Sequence, residues 1–242
     1  MIPLRDRNPT RRTPVITLGL IAACFIVFAY ELSLTFSGGD AALNGFFDQW
    51  GAVPSRVSDS LAAGQLFSSA TLGLFTSMFL HGGWLHILGN MLYLWIFGNN
   101  VEDRLGRLPF LVFYLVGGLV AGMTQVWIDP TSSVPLVGAS GAIAATLGAY
   151  VALFPGARVL SLVFLGFFYQ LIEVPAVLVL GFWFVLQLID GIASLGLAGA
   201  EGGVAFFAHI GGFAAGAAIG LLVRGSMAGR GRQRRLPRAG MG

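Results

Sequence analysis

Four polar side chains in this sequence have types and spacings that suit acyl-transfer chemistry. Ser140 stands between glycines in the run Gly-Ala-Ser-Gly, and His209 precedes glycines that recur at every fourth residue. His86 and Asn90 are four residues apart, which places both on one face of a helix. A serine beside a histidine is the minimum for a nucleophile with its general base. His86, Asn90 and the backbone N–H of Ser140 are the available hydrogen-bond donors for an oxyanion.

The composition indicates that these residues lie in a membrane. Of the 242 residues, 56% are hydrophobic and only 10% are charged, and the mean hydropathy is +0.80. Soluble proteins are about 25% charged, so an ordinary water-soluble domain, a disordered chain and a nucleic-acid-binding arm attached to a folded domain are all excluded. We therefore expect an all-α membrane protein whose partners include the lipid bilayer and no nucleic acid. Strongly polar side chains are costly inside a bilayer, which makes the four residues candidates for a functional site.

Six apolar segments are long enough, or nearly so, to cross a bilayer as helices of about 20 residues. They are residues 14–36, 78–98, 108–128, 138–154, 174–197 and 204–223. A seventh apolar stretch, Val159–Ile172, is short for a span, and we expect an interfacial or re-entrant segment there. The first loop, residues 37–77, is long enough to include short interfacial helices.

The arginines predict the orientation of the chain. There is no lysine, and the arginines cluster near both ends of the sequence. Because an excess of arginine marks the cytoplasmic side, we expect both termini there. The predicted organisation is a cytoplasmic N-terminal arm at 1–13, a six-helix domain at 14–223 and a basic cytoplasmic tail at 224–242. We expect a bacterial inner membrane, because the chain is compact and we recognise no transit-peptide pattern and no large soluble appendage in it.

The first segment could also be a signal peptide, because basic residues precede it. Its apolar run continues through Cys24 to Tyr30, and no soluble domain follows it. We therefore expect this segment to remain as a span and not to be cleaved.

The topology predicts that the polar residues meet. The second, fourth and sixth segments run in one direction, so His86, Ser140 and His209 fall at similar depths. The fourth and sixth segments also carry small residues at every fourth position, which lets two helices approach closely. These residues are Ser140, Ala144 and Gly148 in the fourth segment and Gly212, Gly216 and Gly220 in the sixth. That contact would bring His209 beside Ser140. The pair would be a dyad, because no aspartate is placed to orient the histidine.

Taken together, the motifs resemble those of the rhomboid intramembrane serine proteases over about residues 70–223. The matching motifs are His86-x-x-x-Asn90, Gly138-x-Ser140-Gly141, His209-x-x-Gly212-x-x-x-Gly216 and the turn Val101–Gly106. The resemblance implies a six-transmembrane-helix, rhomboid-like bundle with an extended first loop and a cavity open to the outer side. It implies Ser140 as the catalytic nucleophile and His209 as the catalytic base. His86, Asn90 and the N–H of Ser140 match the oxyanion-stabilising positions.

The resemblance also implies the substrates and the route by which they enter. Family substrates are single-span transmembrane proteins, cut in or near the membrane through an acyl-enzyme, with no cofactor and no metal. The fifth span acts as a lateral gate, and Phe182 and Trp183 are its bulky candidates here. One departure is Ala144, because some members have a tyrosine there that packs on the catalytic histidine. Another group must support His209, and the sequence does not name it.

Several residues also have structural interpretations. Ser140 alone could bond to its own helix, and Asn90 could link two helices. We expect His81 to fix a loop, and Glu102 and Arg104 to be a structural pair at the cytoplasmic end of the second span.

Other function classes fit less well. A membrane metalloprotease would need His-Glu-x-x-His, which is absent from the sequence. A transporter would usually show charged residues at mid-span or broken helices in corresponding halves. A catalytically inactive rhomboid-like scaffold is the serious alternative, but such a protein would be expected to lack the serine or the histidine.

Overall fold

The computed structural model describes residues 1–165, 168–194 and 205–233, and most of these residues are helical. The helices are α1 (Val15–Trp50), α2 (Pro54–Ala62), α3 (Ser69–Thr76), α4 (Trp84–Tyr93), α5 (Asn99–Leu105), α6 (Arg107–Ile128), α7 (Ser140–Leu153), α8 (Ala176–Ser194) and α9 (Phe206–Gln233). A 3₁₀ turn, Ser77–Phe79, follows α3, and a π-helical turn, Leu94–Gly98, joins α4 to α5. Three strands complete the described elements.

Four helices of the described chain are long and apolar enough to cross a membrane: α1, α6, α8 and α9. The second and fourth predicted spans are covered instead by shorter helices, because α4 ends at a π turn and α7 has 14 residues. Helices thus occupy all six predicted segments, while the count of six spans stays a prediction. The predicted ends at 195–197 and at 204, and the tail beyond 233, lie outside the described residues.

The first predicted span ends close to a change of direction inside α1. Gly39 has φ of 64° and ψ of −164°, values that interrupt a helix and that glycine adopts without a steric penalty. The rest of α1, followed by α2 and α3, fills the extended first loop. The expectation of short helices in that loop is confirmed by α2 and α3.

The all-α expectation is wrong in one region, where three strands form an antiparallel sheet. The strands are β1 (Ile2–Asp6), β2 (Arg158–Leu165) and β3 (Phe168–Pro175), in the spatial order β1-β2-β3. The described residues of the stretch expected to be interfacial or re-entrant, Val159–Ile172, therefore lie in the paired strands β2 and β3, with Val159 opposite Val174. An apolar run of that length is too short for a spanning helix, and pairing along both edges of β2 satisfies its backbone groups.

The N-terminal end of α1 is capped by a side chain from a distant helix. The Glu102 carboxylate of α5 accepts the N–H of Ile16 at 3.0 Å, and the N–H and Oγ–H of Thr17 at 2.8 Å each. The first N–H groups of a helix have no partner within it, and a negative charge there is favourable. The expected structural role of Glu102 is confirmed, but its expected pairing with Arg104 is wrong, because Arg104 lies over the ring of Phe154 at 5.4 Å.

The carboxylate of Asp6 joins the sheet to the helices. Its Oδ2 accepts the hydroxyl of Tyr150 in α7 at 2.8 Å and the Nδ2–H of Asn100 in α5 at 2.7 Å. Burial raises the pKa of this carboxyl, and the tyrosine hydrogen bond opposes that rise. The N-terminal strand is thus attached to the same helix that begins at Ser140.

Helices α7 and α9 pack with almost direct backbone contact. A Cβ built on Gly216 would overlap the carbonyl oxygen of Ala145, and one on Gly148 would overlap that of Phe213. The predicted small-residue packing is confirmed, although the α7 side of the contact includes Ala145 one position beyond the predicted face. Apolar surface adds little to helix association in lipid, so close approach of this kind supplies much of the attraction.

The backbone contact predicts that Gly216→Ala separates α7 from α9. We expect the variant to lose about 1–3 kcal/mol of stability, because the added methyl group has no space and rigid backbone faces it. The measurement is thermal unfolding in detergent micelles. Gly225→Ala is the matched control, since this glycine lies on the same helix with nothing within 4 Å of its Cβ position. Equal stability of the two variants would contradict the packing described.

Candidate active site

Ser140 and His209 are hydrogen-bonded to each other. Ser140 is the first residue of α7, and its Oγ lies 2.7 Å from Nε2 of His209, in the first turn of α9. His209 is buried, with a relative exposure of 7% for the whole residue. The two helices that carry the pair are those in backbone contact, so neither side chain needs a long reach. The sequence-based expectation that these residues meet agrees with this geometry.

The other side of the His209 ring contacts α8. Its Nδ1 lies 2.6 Å from Oε1 of Gln187, and its ring centroid is 5.8 Å from that of Trp183, at an interplanar angle of 37°. Sequence reasoning considered Trp183 only as a gate residue and missed Gln187. The available signal was a polar residue within an apolar helix, four positions after a tryptophan and therefore on the same face.

His86 is oriented by a backbone group. The N–H of Gly82 donates to Nδ1 of His86 at 3.3 Å, so the hydrogen of the neutral ring is on Nε2. That Nε2 lies beside Gly138, where a Cβ would come within 2.7 Å of it. Gly138 has φ of 127°, a conformation that favours glycine. The turn before Ser140 therefore lies directly against a ring N–H donor.

Asn90 lies one helical turn after His86 in α4. Its Nδ2 is buried and has no hydrogen-bond partner among the described residues. Leaving a buried donor unpaired costs about 1–3 kcal/mol, and such groups in a folded protein call for an explanation. Backbone N–H groups at the start of α7, that of Ser140 among them, also lack partners within the helix. The region around the serine thus holds side-chain and backbone donors that lack a partner among the described residues.

A cavity of about 240 Å³ is bounded by all four residues predicted from the sequence. Ser140 and His209 lie on its wall together with His86 and Asn90, and apolar residues line the remainder. Those apolar residues include Tyr93, Ile143, Leu147 and Trp183. Hydrogen bonds to a developing charge are strongest where apolar walls limit water, so the cavity suits a reaction that forms an oxyanion.

The third histidine, His81, lies behind the site. Its backbone N–H donates to the Glu31 carboxylate at 3.0 Å, and its Nδ1 is 3.2 Å from the carbonyl oxygen of Phe79. Its ring packs on that of His86 with centroids 5.2 Å apart. The expectation that His81 fixes a loop is confirmed, and the buried Glu31, which the sequence did not single out, is its partner.

No group of three metal-ligating side chains occurs in residues 1–165, 168–194 and 205–233.

Comparison with protein families matches the rhomboid domain to residues 68–226, which is more than half of the chain. The chain belongs to the rhomboid family. It is 29% identical over 178 residues to rhomboid protein 1 of Saccharomyces cerevisiae mitochondria, covering 72% of this chain and 48% of that protein. It is 36% identical over 159 residues to the rhomboid protease GluP of Bacillus subtilis, covering 65% and 28% respectively.

A further relative is the rhomboid protease GlpG of Pectobacterium atrosepticum, at 39% identity over 74 residues, covering 31% of this chain and 26% of that protein. This rhomboid spans about half or less of the length of these relatives. Family membership together with the apolar helices makes it an integral membrane protein. The relatives include bacterial, mitochondrial and plant proteins, so the bacterial location and the side of the termini stay predictions.

The contact between Gly138 and His86 predicts a site-specific effect of an added methyl group. We expect Gly138→Ala to be less stable than Gly106→Ala. Both glycines have φ outside the left-handed helical region, at 127° and 91°, so both variants strain the backbone. Only the methyl group at Gly138 would meet a histidine ring, since the nearest atom to a Cβ on Gly106 is 3.9 Å away. Thermal unfolding of the two variants in the same detergent measures the difference. A Gly138→Ala variant as stable as Gly106→Ala would contradict the placement of His86.

Proposed function

We propose that this rhomboid is an intramembrane serine endopeptidase that cleaves transmembrane segments of membrane proteins with a Ser140–His209 dyad. The observation that carries the proposal is the 2.7 Å hydrogen bond between the serine Oγ and Nε2 of the histidine. Membership of a family with relatives named as proteases supports the same reaction class. No cofactor or metal enters the proposed reaction.

In the first half of the reaction, Nε2 of His209 accepts the hydroxyl proton of Ser140 while Oγ attacks the scissile carbonyl carbon. The oxygen of the resulting tetrahedral species is stabilised by the Ser140 N–H, His86 Nε2–H and the Asn90 amide. The free Asn90 donor and the oriented His86 ring support these roles. The C–N bond then breaks, the imidazolium returns its proton to the leaving amine, and the peptide acyl group stays on Oγ as an ester.

In the second half, water replaces the departed amine. His209 accepts a proton from the water as its oxygen attacks the ester carbonyl, and the same donors hold the second oxyanion. The bond from carbon to Oγ then breaks and the proton returns to Ser140. The products are a carboxylic acid and an amine, and the dyad is restored to its starting state.

The proposed substrates are single-span transmembrane proteins that enter from the bilayer beside α8. Phe182 is 59% exposed on this helix, and its neighbour Trp183 borders the cavity. A peptide bond inside a helix is screened by its own hydrogen bonds, so the substrate must unwind locally before its carbonyl can reach Ser140. The proposal includes six spans, with both termini in the cytoplasm and the cavity open to the outer side.

The dyad predicts that Ser140→Ala and His209→Ala each abolish cleavage of a transmembrane reporter substrate in liposomes. Loss of a member of a serine catalytic unit lowers kcat by about 10⁴-fold or more. Ser33→Ala is the matched control and should keep full activity, because the Ser33 hydroxyl bonds only to its own helix carbonyl in the described contacts.

Cleavage by Ser140→Ala at the wild-type rate would refute the proposed nucleophile. Absence of cleavage by the wild-type protein, across a panel of transmembrane substrates, would favour the inactive scaffold.

A further inference from the structure

We propose that Gln187 is a positioning residue for His209, an inference that rests on the proposed function. The side-chain carbonyl of Gln187 accepts the Nδ1–H of the imidazole and so keeps the Nε2 lone pair facing Ser140. The contact behind the proposal is the 2.6 Å distance between His209 Nδ1 and Gln187 Oε1. It lies on the opposite edge of the ring from the 2.7 Å contact with the serine.

The physical reason is the tautomer of the histidine. A neutral imidazole carries one N–H, and only the form protonated at Nδ1 can accept the serine proton at Nε2. An acceptor at Nδ1 selects that form, which is the role of the third group in serine catalytic triads. Gln187 supplies the acceptor without a charge. An ionised carboxylate in the same apolar surroundings would carry a large desolvation cost.

A second contact from α8 fixes the plane of the ring. Trp183 lies one helical turn before Gln187, and its ring stands against that of His209 with centroids 5.8 Å apart. The hydrogen bond with Gln187 thus restrains rotation of the His209 ring within its own plane, and the contact with Trp183 restrains tilting out of that plane. Together they supply the support that the sequence left unassigned.

The packing of α7 on α9 explains why this support comes from α8. Ala144 is fully buried, and its Cβ would lie 3.4 Å from a Cβ added to Gly212 of α9. The methyl group of Ala144 has no ring to pack on the histidine and no polar atom to hydrogen-bond to it. The ring of His209 is therefore held by the helix on its other side, and the position of α8 sets the orientation of the dyad.

The kinetic test compares three variants in liposomes with a transmembrane reporter substrate. Gln187→Met removes the acceptor at nearly constant volume, and Gln187→Glu retains it. Leu186→Met is the control, because it changes the adjacent, 39% exposed residue on the same helix. We expect Gln187→Met to lower kcat by about 10- to 1000-fold with little change in KM. Gln187→Glu should recover much of that loss. Leu186→Met should have the activity of the wild type.

A spectroscopic test reads the tautomer without reference to activity. The chain has three histidines, so ¹⁵N labelling of their rings gives few signals to assign. In the wild type we expect His209 to be protonated at Nδ1 and not at Nε2. In Gln187→Met we expect a mixture of the two tautomers.

Two results would overturn the positioning role. One is a wild-type His209 protonated at Nε2, a finding that does not depend on whether any variant folds. The other is a Gln187→Met variant with unchanged kcat and unchanged tautomer. Failure of the proposed function gives a different pattern: the wild type would cleave no substrate, or Ser140→Ala would cleave as well as the wild type, while the tautomer result still stands.

Discussion

The close approach of α7 and α9 is the constraint on which the rest of the site depends. Glycine and alanine bring the two backbones together at Gly216 and Ala145, where not even a methyl group can be added. The same contact sets the first turns of both helices side by side. Ser140 and His209 can form their hydrogen bond because each lies in the first turn of its helix. Neither side chain has to extend far to reach the other.

Two further helices complete the site from opposite directions. Helix α4 brings His86 and Asn90 to the cavity that Ser140 also lines, where the proposed oxyanion would form, and α8 brings Gln187 to the far edge of the His209 ring. In a membrane each polar group needs a partner or a reason to lack one. The unpaired donor of Asn90 has such a reason if a substrate oxygen is its partner during the reaction.

The sequence predicted features that depend on local spacing, and it missed those that depend on long-range contact. Four-residue periodicity was enough to predict the α7–α9 packing and the meeting of the serine with the histidine. Strand β1 could not be predicted, because it and its partner β2 are separated by most of the chain. The β2–β3 hairpin is a local contact, and it was missed because its apolar run was interpreted as an interfacial or re-entrant segment. Gln187 was missed because a neutral amide in an apolar helix acquires its meaning only from the ring it faces.

The most direct test of the account is the site of modification by a fluorophosphonate, which reacts with an activated serine hydroxyl and needs no transmembrane substrate. The protein is labelled in detergent, digested and mapped by mass spectrometry. We expect a single major adduct on Ser140 in the wild type and none in His209→Ala. An adduct spread over several serines, or labelling of Ser140 that persists unchanged without the histidine, would contradict an activated nucleophile at this position.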